Sequence, residues 1–122
     1  MTDQILLRNV MKITEGRLDL FCEAVSEAVG FVEQHGPQLM VQTFIDREEM
    51  RATSFQLYRN SADMLRHWEL SDPYIQKVSQ HCEVERLELY GNPCEEVRAG
   101  ISSFLKDGRG QIITPLVGFA RF

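Results

Sequence analysis

An α+β fold built on one antiparallel sheet is predicted for this chain by three observations. Apolar residues alternate with a period of two in some segments and recur at three- and four-residue steps in others. These segments follow the order strand-helix-strand-strand-helix-strand, with a further helix and strand behind them. The length, 122 residues, suits a single domain over 1–122, with a core of about 4–91 and an extension over 92–122.

The first segment, Ile5 to Ile13, is a strand. Ile5, Leu7, Asn9, Met11 and Ile13 share one face, and Leu6, Arg8, Val10 and Lys12 the other. From Arg17 to His35, Leu18, Phe21, Cys22, Val25, Val29 and Val32 form one apolar helical stripe. Gly36 and Pro37 stop that helix. Gly30 inside it is expected to permit close packing. Leu39–Asp46 and Met50–Tyr58 read as a hairpin around Arg47-Glu48-Glu49.

A second helix starts at Asn60-Ser61, with Ser61 as N-cap and Asp63 in the first turn. Ser71-Asp72-Pro73 is expected to end it and start another, with Asp72 as cap. Val84–Tyr90 alternates again. Asn92-Pro93 then caps an amphipathic helix through Val97, Ile101, Phe104 and Leu105. Ile112 to Arg121 is a final extended segment, with Pro115 favouring an edge position or a bulge. The order is that of the split βαβ, or ferredoxin-like, arrangement, with helices on one sheet face. The other face, with Leu6, Val10, Met40 and Phe44, is too apolar for water and calls for a second copy of the chain.

Composition narrows the function classes. Hydrophobic residues make up 43% and charged residues 25%, the balance of a soluble globular protein. The net charge is −5 and no basic run stands out, so nucleic acid and anionic membrane are not expected partners. No apolar run approaches the ~20 residues of a membrane span. Met1-Thr2-Asp3-Gln4 lacks a signal-peptide pattern, so a cytoplasmic location is expected. Cys22, Cys82 and Cys94 are widely spaced without a CxxC, so neither a disulfide framework nor a metal site is expected. Cys22 and Cys82 read as buried thiols.

The stretch Leu57-Tyr58-Arg59-Asn60-Ser61-Ala62-Asp63-Met64-Leu65-Arg66-His67-Trp68, then Ser71-Asp72-Pro73-Tyr74, and the ending Glu88-Leu89-Tyr90-Gly91 carry a resemblance. Over residues 4–91 the chain resembles the antibiotic biosynthesis monooxygenase-like proteins of the dimeric α+β barrel superfamily. The resemblance implies a homodimer closed through the open sheet faces. In the haem-degrading branch an Asn on the first strand and a Trp on the second helix frame the haem, and a His on the next helix ligates iron. Asn9 and Trp68 match the first two, while Val78 occupies the His position. His81 lies one turn further, displaced by about 5 Å. In the quinone-forming branch, which uses oxygen without metal or flavin, a Trp and a Tyr six residues apart line the pocket; Trp68 and Tyr74 match. Met64 stands where that branch has an Asn, and Arg86 lies near its Arg without coinciding.

The expected site groups Asn9, Trp68 and Tyr74, with Met64, Val78 and His81 beside them. Asn9 is a polar residue on an apolar strand face, which needs a hydrogen-bonding reason. It would hold a substrate oxyanion, or else tie strand to helix. Trp68 would stack on a flat ligand or simply pack in the core. Tyr74 or His67 would move a proton, although His67, about 100° round from Trp68, is expected at the rim. Arg8, Arg86 and Glu88 read as ion pairs across the dimer interface. The expected activity is a small monooxygenase-like reaction on an aromatic or polycyclic compound with O2 and no dedicated cofactor. The alternatives are a non-catalytic ligand-binding or dimerisation module of the same fold and, third, a haem protein.

Overall fold

The computed structural model describes residues 3–121; Met1 and Thr2 of the N-terminal stretch read above, and Phe122, lie outside them. Nine elements follow one another: β1 (Ile5–Ile13), α1 (Leu18–His35), β2 (Met40–Asp46), β3 (Arg51–Tyr58), α2 (Ser61–Ser79), β4 (Cys82–Tyr90), α3 (Glu95–Gly100), α4 (Ser102–Lys106) and β5 (Gly110–Ile113). The sheet order is β2-β3-β1-β4-β5. The first four strands pair antiparallel, and β5 joins β4 in parallel. This is the ferredoxin-like split βαβ sheet with one strand added at the β4 edge.

The period-two pattern of β1 sets the two faces. Ile5, Leu7, Met11 and Ile13 are buried toward the helices. Register carries that division across the sheet: Asn9 lies opposite Ser54 on β3, and Ser54 opposite Thr43 on β2. A bulge between Val10 and Met11 displaces one residue of β4, and Glu85 there pairs with Arg51 through two hydrogen bonds of 2.8 and 3.0 Å. Two clusters form the core, one around Tyr58, Met64 and Leu89, the other around Met11, Ile13 and Phe21.

Several helix boundaries differ from the sequence reading. Asn60, not Ser61, caps α2: its Oδ1 accepts the Asp63 N–H at 2.8 Å. The Ser61 hydroxyl instead accepts the Cys94 N–H at 3.0 Å and ties the later loop to this helix. No break occurs at Ser71-Asp72-Pro73, and α2 runs continuously through Pro73. Met64, His67, Ser71, Tyr74 and Val78 keep three- and four-residue steps, so one stripe faces inward past the proline. Pro73 itself is exposed. Packing along that stripe outweighs the ~3 kcal/mol an interior proline costs.

The expected C-terminal helix starts at Glu95 with Cys94, not Asn92, as its cap, and divides at Ile101 into α3 and α4. Beside this division the chain makes a close approach to α2. A Cβ at Gly100 would stand 2.4 Å from Cζ3 of Trp68, so the indole packs directly on backbone there. Gly30, by contrast, has open space beside it and brings nothing close. Cys82 begins β4, and it and Cys22 are half-buried rather than fully buried. The final strand is Gly110–Ile113 and ends before Pro115; Leu116, Val117 and Phe119 beyond it are exposed.

On the open face, Phe44 is 56% exposed and meets Phe55 edge to face at 6.0 Å. Arg8, Arg86 and Glu88 pair within the chain: Glu88 accepts from Arg8 at 2.9 Å, Arg86 at 3.2 Å and Tyr90 at 3.0 Å. Partial desolvation opposes the Glu88 charge, but these three donors outweigh it and hold the carboxyl below its usual range. No helix of the described residues is long and apolar enough to cross a membrane.

Gly100→Ala should force the indole to move and lower stability by about 1–3 kcal/mol, the usual cost of overpacking. Urea titration followed by far-UV circular dichroism measures the loss, and a shift in Trp68 emission reports the displaced ring.

Candidate functional site

A cavity of about 400 Å³ lies between the helix-facing side of the sheet and the helices. Leu7, Asn9 and Met11 of β1 form its floor, with Thr43, Ser54 and Gln56 beside them. Val25, Val29 and Val32 of α1 face them, as do His67, Ser71 and Val78 of α2. Gly100, Ile101 and Phe104 close one end, so the C-terminal extension completes the chamber.

Polar groups concentrate on the β2–β3 half. The Tyr58 hydroxyl donates to Gln56 Oε1 at 2.5 Å, and Gln56 Nε2 donates to Ser54 at 3.3 Å. Thr43 also donates to Ser54, at 3.4 Å. Gln38 Nε2 stands 3.4 Å from Gln56 Oε1 and 2.9 Å from His67 Nδ1. Ser71 Oγ, fully buried one helical turn on, is likewise 2.9 Å from His67 Nδ1. Among the described residues, two buried acceptors have no partner, Asn9 Oδ1 and Gln38 Oε1. Leaving such a group unpaired costs about 1–3 kcal/mol.

Burial tunes the ionisable members. It pushes the His67 imidazole down to about 4, so the ring is neutral at physiological pH. It raises the Tyr58 phenol, and it pushes the Cys82 thiol up to about 11. Both stay protonated. The one carboxylate along the lining, Asp72, is exposed. The interior is therefore uncharged but rich in hydrogen-bonding groups, which suits a mostly apolar molecule carrying oxygen.

The expected residues divide. Asn9, Trp68, Tyr74, His67 and Val78 line the cavity. His67 is buried within it, not at the rim, because α2 continues past Ser71 and keeps both residues on the inner stripe. Tyr74 lies within that single helix, not at the start of a second one, and its ring stacks on Phe31 at 4.4 Å. Met64 is fully buried in the core beside Tyr58 and Leu89 and does not line the cavity. His81 also lies outside the lining, with Nδ1 3.2 Å from Arg17 Nη1. Sequence reasoning missed Gln38, Ser54, Gln56, Tyr58 and Ser71. Ser71 carried a signal, four residues after His67 on an otherwise apolar stripe.

This architecture is the fold of the antibiotic biosynthesis monooxygenase-like α+β proteins, with a C-terminal extension. No family model matches the sequence, and no curated protein matches it. Among solved structures, MupZ from Pseudomonas fluorescens superposes with a TM-score of 0.79 at 15% identity, covering 99% of this chain and 91% of that one. SnoaB from Streptomyces nogalater, a cofactor-independent oxygenase, gives 0.63 at 10% identity, covering 75% of this chain and 95% of its own. A Caulobacter crescentus protein provisionally assigned to the antibiotic biosynthesis monooxygenases gives 0.62 at 14% identity, covering 72% and 88%. The two smaller coverages are close to the share of the chain from β1 to β4, whereas the MupZ match takes in the extension.

His67 makes stability depend on pH. Its folded pKa of about 4 lies below the unfolded value of 6.5, so the unfolded chain binds the proton more readily. Stability should fall as pH drops from 6.5 towards 4, by about 2–3 kcal/mol from this residue. Urea midpoints at pH 7 and 4.5 should differ less in His67→Gln than in the parent chain.

Proposed function

We propose that the cavity binds a small ring-bearing molecule with at least one oxygen substituent, and that the chain oxidises it with O2 as a small monooxygenase without a dedicated cofactor. The observation that carries this reading is Asn9 Oδ1, buried without a partner on the cavity floor. A buried amide left open in this way is supported best by a ligand that completes it. Asn9 Oδ1 accepts from a substrate hydroxyl; turned over, the same amide offers Nδ2–H to the oxyanion left after proton loss. Trp68 supplies a flat wall for the ring.

The reaction class balances without a reductant. An activated ring methylene and O2 give a ring carbonyl and water: carbon gives up four electrons, one oxygen atom enters the carbonyl, and the other leaves as water with both hydrogens. Catalysis then consists of stabilising the substrate anion that donates the first electron, in a cavity lined mostly by apolar side chains. The SnoaB likeness supports this class through its fold.

A panel of polycyclic phenols whose keto tautomers carry an activated ring methylene, screened by oxygen consumption and by Trp68 quenching, tests the reading. A substrate should give saturable oxygen uptake, and Asn9→Ala should lower kcat/KM by about tenfold or more, in line with one donor lost from a dry site. Saturable quenching without oxygen uptake across the panel would instead assign a ligand-binding module.

The same reading places a second copy of the chain on the open sheet face. Leu6, Val10, Met40 and Phe55 are half-buried there and Phe44 is exposed, a surface that a self-complementary dimer would cover. Such an interface buries roughly 2,000 Å² or more. Sedimentation should give a species of twice the 14.1 kDa chain, and Phe44→Glu should return it to one chain.

A further inference from the structure

We infer that His67 presents Nε2–H to a substrate oxygen as a neutral hydrogen-bond donor, with Gln38 and Ser71 as the positioning residues that hold it in that tautomer. The inference deepens the reading of the cavity given above and rests on it.

The geometry sets the direction of each hydrogen bond in turn. Gln56 Oε1 accepts from Tyr58 at 2.5 Å while Gln56 Nε2 points to Ser54 at 3.3 Å, so the oxygen of Gln56 faces Gln38. Gln38 meets that oxygen with its amide nitrogen at 3.4 Å. The same nitrogen stands 2.9 Å from His67 Nδ1. An amide NH₂ only donates, so Nδ1 must accept. Ser71 Oγ stands 2.9 Å from the same Nδ1, and with Nδ1 accepting it can only share that one lone pair as a second donor. A neutral imidazole that accepts through Nδ1 carries its proton on Nε2. Nε2 has no hydrogen-bond partner among the described residues, and the ring lines the cavity.

Gly36 belongs to the same device. A Cβ there would fall 2.6 Å from Gln38 Oε1, so the missing side chain leaves room for the Gln38 amide. His67 is thereby assigned to a substrate oxygen within the cavity that Asn9 also lines, and acts as an electrophilic donor. A base at that position would need the opposite tautomer, with Nε2 bare.

Two measurements test this. In protein carrying ¹⁵N-labelled histidine at pH 7, long-range ¹H–¹⁵N correlation should show His67 protonated on Nε2 and bare on Nδ1. The signals are assigned with His67→Gln or, should that variant not fold, by elimination with His35→Gln and His81→Gln. Removing both positioning donors, in Gln38→Leu/Ser71→Ala, should mix the two tautomers. A parent protein protonated on Nδ1 would overturn the inference.

The second measurement uses 1-indanone, with indane as the control lacking oxygen. The ketone carbonyl band should move to lower frequency on binding and return in His67→Phe, with about tenfold weaker affinity, while indane binds both proteins within about twofold. Indanone affinity and band position indifferent to His67→Phe would overturn the inference. Failure of indane as well as indanone to bind the parent protein would overturn the cavity reading beneath it.

Discussion

One helix must hold a single face against the sheet for its whole length. α2 does so from Met64 to Val78 although Pro73 removes a backbone hydrogen bond inside it. The site depends on that continuity. Had the helix ended at Ser71, Tyr74 and Val78 would leave the register of His67, and the roof of the cavity would open. Trp68 is held one step round the same helix, where α3 can reach it only because residue 100 is glycine. The extension after β4 is thus part of the site's construction.

The second constraint is the cost of polar groups indoors. The β2–β3 half of the floor carries Thr43, Ser54 and Gln56 on neighbouring strands, and α2 brings His67 and Ser71 over them. Nearly every donor and acceptor in this set has a partner, which keeps the network inexpensive and its members aligned. The exceptions among the described residues, Asn9 Oδ1, Gln38 Oε1 and His67 Nε2, therefore stand out against that background. Burial also removes ionisation as an option: the His67 ring and the Tyr58 and Cys82 side chains are neutral together. Chemistry in such a chamber must work through hydrogen-bond dipoles.

Much of the fold was legible because the signals were periodic. The alternation in Ile5–Ile13 located Asn9 on the helix-facing side, and the steps of α1 located its stripe. Asn9 and Trp68 could be grouped from the strand face and the helix stripe, while Tyr74 joined them through the resemblance and an expected helix break that does not occur. What failed were punctuation signals. Ser71-Asp72-Pro73 is a good helix start in isolation, but packing on both sides of it overrides the local preference. Ser61 and Asn92 are good caps by type, yet Asn60 has the geometry for the first helix and Cys94 precedes the third. Gln38, Ser54 and Gln56 could not be found by spacing, because their association is made by strand register and by a loop, across residues far apart in the chain. Met64 does lie on the inward stripe but packs into the core beside Tyr58 and Leu89, and His81 falls beyond the end of α2, beside Arg17.

The position of β1 at the centre of the sheet has a consequence for how the molecule is made. Its two neighbours are β3 and β4, and Leu6 pairs with Tyr90. During synthesis β1 therefore waits until β4 has followed α2 before its second edge is covered. Contacts of that sequence separation close slowly, since loop entropy is lost before they form. Meanwhile β1 and the β2–β3 hairpin can associate, leaving an apolar strand with one bare edge. A nascent chain stalled between α2 and β4 would expose that edge, and this interval is the point in biosynthesis at which the protein is most open to mispairing with its own copies.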